Sequence, residues 1–243
     1  MSRGQYITRR LLQMIPVVFG ITIVIFGMLR AIPGDPAVTM AGEKARDDQI
    51  AILREKMGLN EPIYMQYAYY LRDLATLDLG SSTKYRVPVN TLIWDRLKVS
   101  LSVMAMTTLV TTIIALPLGM LAALKKDSIL DNVVRSSLMV TMVMPTFFTG
   151  IILIIILSVK IDLFPVSGYG DGFFDHVRHL FLPSLTLSLA ICPILIRTLR
   201  TSILEAMTSD YVKTARAKGL REQVVISQHV LRNALIPTIT LFG

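Results

Sequence analysis

Three long stretches of this 243-residue sequence hold no ionisable side chain: residues 101–124, 136–159 and 181–196 contain not one Asp, Glu, Lys, Arg or His. A transporter driven by protons or sodium keeps ionisable groups near the bilayer midplane, despite a cost of about 2.5–3.5 kcal/mol or more each. Their absence argues against that class. No Gly-x-x-x-x-Gly-Lys-Ser/Thr element occurs, so ATP is not cradled by that route. His-Glu-x-x-His and Gly-x-Ser-x-Gly are missing too, and His176, His179 and His229 all fall outside the apolar runs, which argues against a membrane protease or esterase. The single cysteine, Cys192, lies in an apolar run and excludes a disulfide framework or a cysteine-rich metal site within the chain. His176 and His179 with Asp175 are too few donors to make a metal site. No catalytic residue, metal or cofactor is expected.

Charge is scarce overall. Charged residues make up 17% of the chain against 53% hydrophobic, and the mean hydropathy is +0.57. Soluble domains carry about a quarter charged residues, so this composition is that of a membrane protein. The net charge of +8 does not point to nucleic acid, because the basic residues cluster beside the apolar runs and so report topology. Arg3, Arg9 and Arg10 precede an apolar run from Leu11 to Leu29. That run is long enough to span at 1.5 Å per residue, no small-residue cleavage site closes it, and the arginines hold the N-terminus in the cytoplasm.

The expected fold is an all-α polytopic membrane bundle with a small external insertion after the first span. Its divisions are a cytoplasmic N-terminus at 1–10, a first span at 11–30, an external insertion at 31–98 and a second span at 99–124. A cytoplasmic loop at 125–135, a third span at 136–159, an external loop at 160–180 and a fourth span at 181–200 follow. A cytoplasmic segment at 201–233 leads to the start of a fifth span at 234–243. Gly34, Asp35 and Pro36 break the first helix on the outer side. Asp47 and Asp48 start one helix of the insertion and Pro62 another, which places Ile63, Tyr67, Tyr70, Leu71 and Leu74 on one face that must pack against something. Thr107, Thr111, Ala115, Gly119 and Ala123 repeat every four residues, a stripe of small side chains that lets another helix approach. Ser184, Ser188 and Cys192 make a similar stripe on the fourth span. Pro117 is expected to kink the second span and Pro193 to interrupt the fourth.

The stretch from Ile203 to Pro237 is soluble-looking and basic although it lies between two apolar runs. Asp210 is placed to cap a short helix through Lys218, and Gly219 stands where a left-handed cap is needed. A second helix is expected from near Arg221 to Asn233. Glu205-Ala206, Asp210-Tyr211-Val212, Thr214 to Leu220 and Leu231 to Pro237 closely resemble the cytoplasmic coupling loop of ABC importer permeases, more narrowly the dipeptide, oligopeptide and nickel branch. Gly34-Asp35-Pro36 also resembles a signature of that branch, in which it opens an external domain.

The resemblance implies an ABC importer permease helical bundle in the bacterial cytoplasmic (inner) membrane, forming half of a translocation pathway. Implied partners are a second homologous permease subunit, two cytoplasmic ATPase subunits, an extracytoplasmic substrate-binding protein and the lipid bilayer. ATP hydrolysis is expected in the separate ATPase subunits. Glu205, Asp210, Tyr211, Ala215, Arg216, Ala217, Gly219 and Leu220 would engage the ATPase. Pro145 and Phe147 fall in a region that the family keeps in the permease core and would bend the third span towards the pathway, although Phe147 and Phe148 facing lipid is an equal alternative. Ala115 and Gly119 are assigned to helix packing or the pathway. Peptide is the expected substrate, with nickel chelates and glutathione-type thiols as alternatives; a membrane scaffold that docks a cytoplasmic partner without transport is the alternative from another class. The fifth span has ten residues, about 15 Å where about 30 Å is needed, so the chain is expected to be truncated, a fragment or completed by a partner.

Overall fold

The computed structural model describes residues 3–42, 45–82 and 84–241, so Phe242 and Gly243 of the expected fifth span lie outside the described residues. All long elements among them are α-helical, two with π-helical continuations, and the only pairing of strand type is an isolated bridge between Ser81 and Pro88. The chain is an all-α membrane protein. Three helices are long and apolar enough to cross a bilayer, or four if one bent pair counts as a single span. The chain divides into two compact units, Met1–Arg96 and Leu97–Gly243.

In the first unit α1 runs Arg3–Ala31, α2 Pro36–Ala41, α3 Asp47–Lys56 and α4 Ile63–Ala75. The Gly34-Asp35-Pro36 motif is a helix-starting device. Asp35 is extended and accepts the Ala37 N–H at 2.9 Å, and Pro36 occupies the first helical position, where its missing N–H costs nothing. The Asp35 carboxylate also takes a hydrogen bond from the Arg54 guanidinium, tying α2 to α3. That guanidinium, helped by the Ala37 N–H, holds the carboxyl below its ordinary range. Tyr67 and Tyr70 of α4 meet the rings of Phe19 and Phe26 on α1, and the Tyr67 hydroxyl lies 2.9 Å from the buried hydroxyl of Thr22. The apolar face expected on α4 is thus partly covered, at Tyr67 and Tyr70, while Ile63 is exposed. Its cover is the first span itself, and the contact begins more than two turns before that helix ends.

Helix α5 is a single helix from Val89 to Leu124 and so begins ten residues before the expected second span. Helix α6 runs Ile129–Val143 and starts earlier than the expected third span, because Ser128 accepts the Asp131 N–H as a cap. Helix α7 covers Thr146–Leu153 and continues as a π-helix through Ile154–Lys160. Helices α6 and α7 meet at 107°. The break falls where Pro145 removes a backbone donor and drives Met144 out of the helical region to ψ 127°, so the third span is not one rod.

Helix α8 runs Phe173–Thr208 without interruption, through both Pro183 and Pro193. The break expected at Pro193 does not occur. This side chain is buried, and one absent backbone hydrogen bond does not outweigh the packing of Cys192, Leu195, Ile196 and Leu199 on the same helix. Each of α5 and α8 has 36 residues, about 54 Å of helix against a hydrocarbon core of about 30 Å.

The two small-residue stripes face each other. Thr107, Thr111, Ala115, Gly119 and Ala123 are all buried on α5, and Ser184, Ser188 and Cys192 are buried on α8. The Ser188 hydroxyl donates to the Thr107 carbonyl at 3.1 Å, and that of Ser184 to the Val103 carbonyl at 3.4 Å. A methyl group built on Gly119 would stand 3.0 Å from Leu199 Cδ2. Ala115 and Gly119 therefore serve helix packing. Replacing Gly119 with Leu overpacks this contact and is expected to cost about 1–3 kcal/mol, lowering the thermal unfolding midpoint of the detergent-purified protein. The same change at Gly20, where a side chain meets nothing within 4 Å, leaves the midpoint unchanged or higher.

Candidate functional site

Beyond Thr208 the chain turns sharply. Ser209 is extended, at φ −70° and ψ 154°, and separates α8 from α9, which runs Asp210–Ala217. Asp210 is not the cap. It is the first helical residue and pairs with Lys213 at 2.9 Å, while the Ser209 hydroxyl turns back to the Ala206 carbonyl. Helix α9 ends in a left-handed turn at Gly219, φ +77°, with the Gly219 N–H donating to the Arg216 carbonyl and the Leu220 N–H to that of Ala215. These two bonds satisfy carbonyls that the helix end would leave bare. Nothing lies within 4 Å of a side chain placed at Gly219, so the need for glycine there comes from backbone conformation alone.

After the turn α10, Glu222–Val224, passes into a π-helix over Val225–Leu231 and then into α11, Arg232–Thr240. The boundary expected at Asn233 is absent, since the helix carries on through it and past Pro237. Arg216 spans the turn with a two-pronged bridge to Glu222, Nε to Oε2 at 3.1 Å and Nη2 to Oε1 at 2.6 Å. The guanidinium holds the Glu222 carboxyl below its ordinary value, and the carboxylate in turn raises Arg216.

One side of α9 is core. Val212 and Ala215 are buried with Ile203 and Ala206 of α8, with Val225 and Val230 of the π-helix and with Ala234 of α11. Ala215, expected on the docking surface, packs inward and is removed from it. Glu205, Asp210, Tyr211, Arg216, Ala217, Gly219 and Leu220 are exposed, and Tyr211 and Leu220 present large apolar groups at 44% and 41% exposure. Tyr211 on α9 and Leu220 just past the glycine turn are thus exposed apolar groups on either side of the clamped Arg216.

Two features had no signal in the sequence reading. Asp131 is fully buried and receives Arg200 in bidentate fashion, at 2.8 and 2.7 Å, together with the Asp127 N–H at 3.0 Å. This joins α6 to α8 close to where α9 begins. Removing one partner of such a buried pair costs about 3–5 kcal/mol, because the other charge is stranded. The second feature is a groove of about 550 Å³ between α5 and α8, lined by Thr107, Thr108, Thr111, Leu187 and Ile191. The hydroxyls of Thr107 and Thr111 have no hydrogen-bond partner among the described residues.

Pro145 is found at the bend before α7, and Phe147 is 71% exposed beside it. The candidate donors at the start of α8 are engaged locally. The ring of His176 meets that of Tyr169 edge-on at 4.2 Å, and His179 Nδ1 lies 2.9 Å from the Asp175 carbonyl. No group of three or more metal-ligating side chains occurs among the described residues.

The family described as binding-protein-dependent transport system inner membrane component matches residues 115–243, the part that holds α8, α9 and the glycine turn. Its N-terminal counterpart matches residues 3–104. The chain belongs to this family of transport permeases. It is similar to the oligopeptide transport system permease protein AppB of Bacillus subtilis, 38% identical over 98% of this chain and 77% of that protein. It also resembles the dipeptide transport system permease protein DppB of Escherichia coli K12, at 35% identity, and the di/tripeptide permease DppB of Pseudomonas aeruginosa, at 38%. Both of those matches cover 98% of this chain and 78% of the relative.

The clamp gives a pH dependence. Glu222 is depressed in the folded state, so its contribution is complete above the unfolded value, near 4.5, and is lost as pH falls through the lower folded one. A nitroxide at position 218 is expected to become more mobile below that range. With Glu222→Gln it is mobile at every pH.

Proposed function

We propose that this chain is the membrane-spanning permease subunit of an ATP-driven peptide importer, forming one half of its pathway. The observation that carries the proposal is the two-sided α9: an inner face of Val212 and Ala215 is locked to α8 and α11, while Tyr211 and Arg216 at its flanks and Leu220 beyond the glycine turn stay exposed. A cytoplasmic ATPase subunit is the partner assigned to these exposed residues. The bundle has no phosphate loop and its long spans no ionisable residue across 101–124 and 181–196, so the energy enters from a partner. Closure of two ATPase subunits on ATP moves α9, and α8 carries the movement into the bundle as a rigid element. The groove lined by Thr108, Leu187 and Ile191 is the wall assigned to the pathway.

Peptide is the proposed substrate class because the relatives named above carry di- and oligopeptide descriptions. A second homologous permease and an extracytoplasmic binding protein complete the assembly. The proposed location is the bacterial inner membrane with the N-terminus in the cytoplasm, on the same side as α9; the basic residues Arg9 and Arg10 before the first span support this reading.

Tyr211→Glu combined with Leu220→Glu is expected to abolish uptake of a labelled dipeptide and co-purification of the ATPase, while the permease still accumulates in the membrane. Ala215→Glu, which buries a charge, reduces accumulation itself. Uptake that survives the paired change at Tyr211 and Leu220 contradicts the assignment.

A further inference from the structure

A second groove, of about 500 Å³, runs between α6 and α8 on the side of the Asp131–Arg200 pair. It is cationic at one end and apolar along its length. Lys126, Arg135, Arg197 and Arg200 line the cationic end; Leu138, Met139 and Met142 continue along α6. Two of the four cations are already answered, Arg200 by Asp131 and, more loosely, Lys126 by Asp127 at 3.9 Å. Arg135 and Arg197 form no salt bridge among the described residues and come from opposite walls of the groove. Met139 and Met142 are 65% and 57% exposed. Arg135 and Met142 lie two helical turns apart, about 10 Å along the axis, which is the depth from a lipid headgroup into the hydrocarbon layer.

We propose that this groove binds an anionic phospholipid, with its phosphate between Arg135 and Arg197 and an acyl chain along Leu138, Met139 and Met142. Charge complementarity selects this occupant. A soluble anion uses the two guanidinium groups and leaves the methionines uncovered. A zwitterionic lipid covers the methionines and brings its own cation to a site that already has two in excess. Guanidinium forks match phosphate oxygens, and basic pockets between membrane helices are suited to acidic headgroups. The site lies apart from the α9 docking face, so it stands whether or not that face binds an ATPase.

The test titrates the purified full chain, in neutral detergent, with phosphatidylglycerol, with phosphatidylcholine of the same acyl chains and with glycerol phosphate, and reads bound species by native mass spectrometry. Phosphatidylglycerol is expected to be retained in preference to phosphatidylcholine, and glycerol phosphate not to displace it at equal concentration. R135Q/R197Q lowers retention of phosphatidylglycerol by roughly tenfold to thirtyfold, whereas R9Q/R10Q, which removes two charges elsewhere, leaves it unchanged. Equal retention of the two lipids overturns the proposal in the unmodified protein, with no variant needed. So does an unaffected R135Q/R197Q, an equal loss in R9Q/R10Q, or displacement by glycerol phosphate, which would mark a site for free anions only.

Discussion

The close contact of α5 with α8 is the constraint on which the second unit depends. Lipid tails are as apolar as leucine, so two membrane helices gain nothing by hiding hydrophobic surface from lipid and associate through packing and hydrogen bonds. Here the packing has a specific point, Leu199 against the bare backbone of Gly119, and beside it the hydroxyls of Ser184 and Ser188 reach carbonyls on α5. Any larger residue on either stripe would separate the helices. Separation would leave the Ser184 hydroxyl without its carbonyl on α5, while Ser188 keeps its bond to the Ser184 carbonyl, and would open the two clusters built on Ala115, Ala122 and Ala123.

From that contact α8 acts as the rod to which other parts are fixed. Helix α6 is fixed to it by the buried carboxylate of Asp131 on Arg200, α7 by the approach of Gly150 to Thr186, and α9 and α11 by the cluster around Ile203 and Val212. The sharp turn at Ser209 folds α9 against its own rod, and the Gly219 turn with the Arg216–Glu222 bridge fixes the return into α10. In the proposed mechanism these contacts are what would carry a push on Tyr211 or Leu220 into α8.

Much of this was legible from local pattern. A four-residue repeat of small side chains marks a close helix face whatever the partner, and Gly219 after a run of helix formers marks a left-handed end. Pro145 announced a break, but the angle of 107° depends on what α7 packs against, which no local rule contains. Pro193 announced a break that packing overrode. The inward direction of Ala215 was missed because motif likeness does not separate buried from exposed members; the helical period through Val212 and Ala215 carries that signal. Asp131 and Arg200 stand 69 residues apart and share no sequence signal. The cap was assigned to Asp210 rather than Ser209 because both are good capping residues one position apart.

The most direct measurement is the distance between nitroxides at positions 194 on α8 and 213 on α9, taken in the assembled transporter with and without ATP trapped on its ATPase subunits. A rigid coupling element predicts one narrow distance that is the same in both states. A distance that shifts or broadens when nucleotide is trapped would show that α9 moves independently of α8 and would contradict the account.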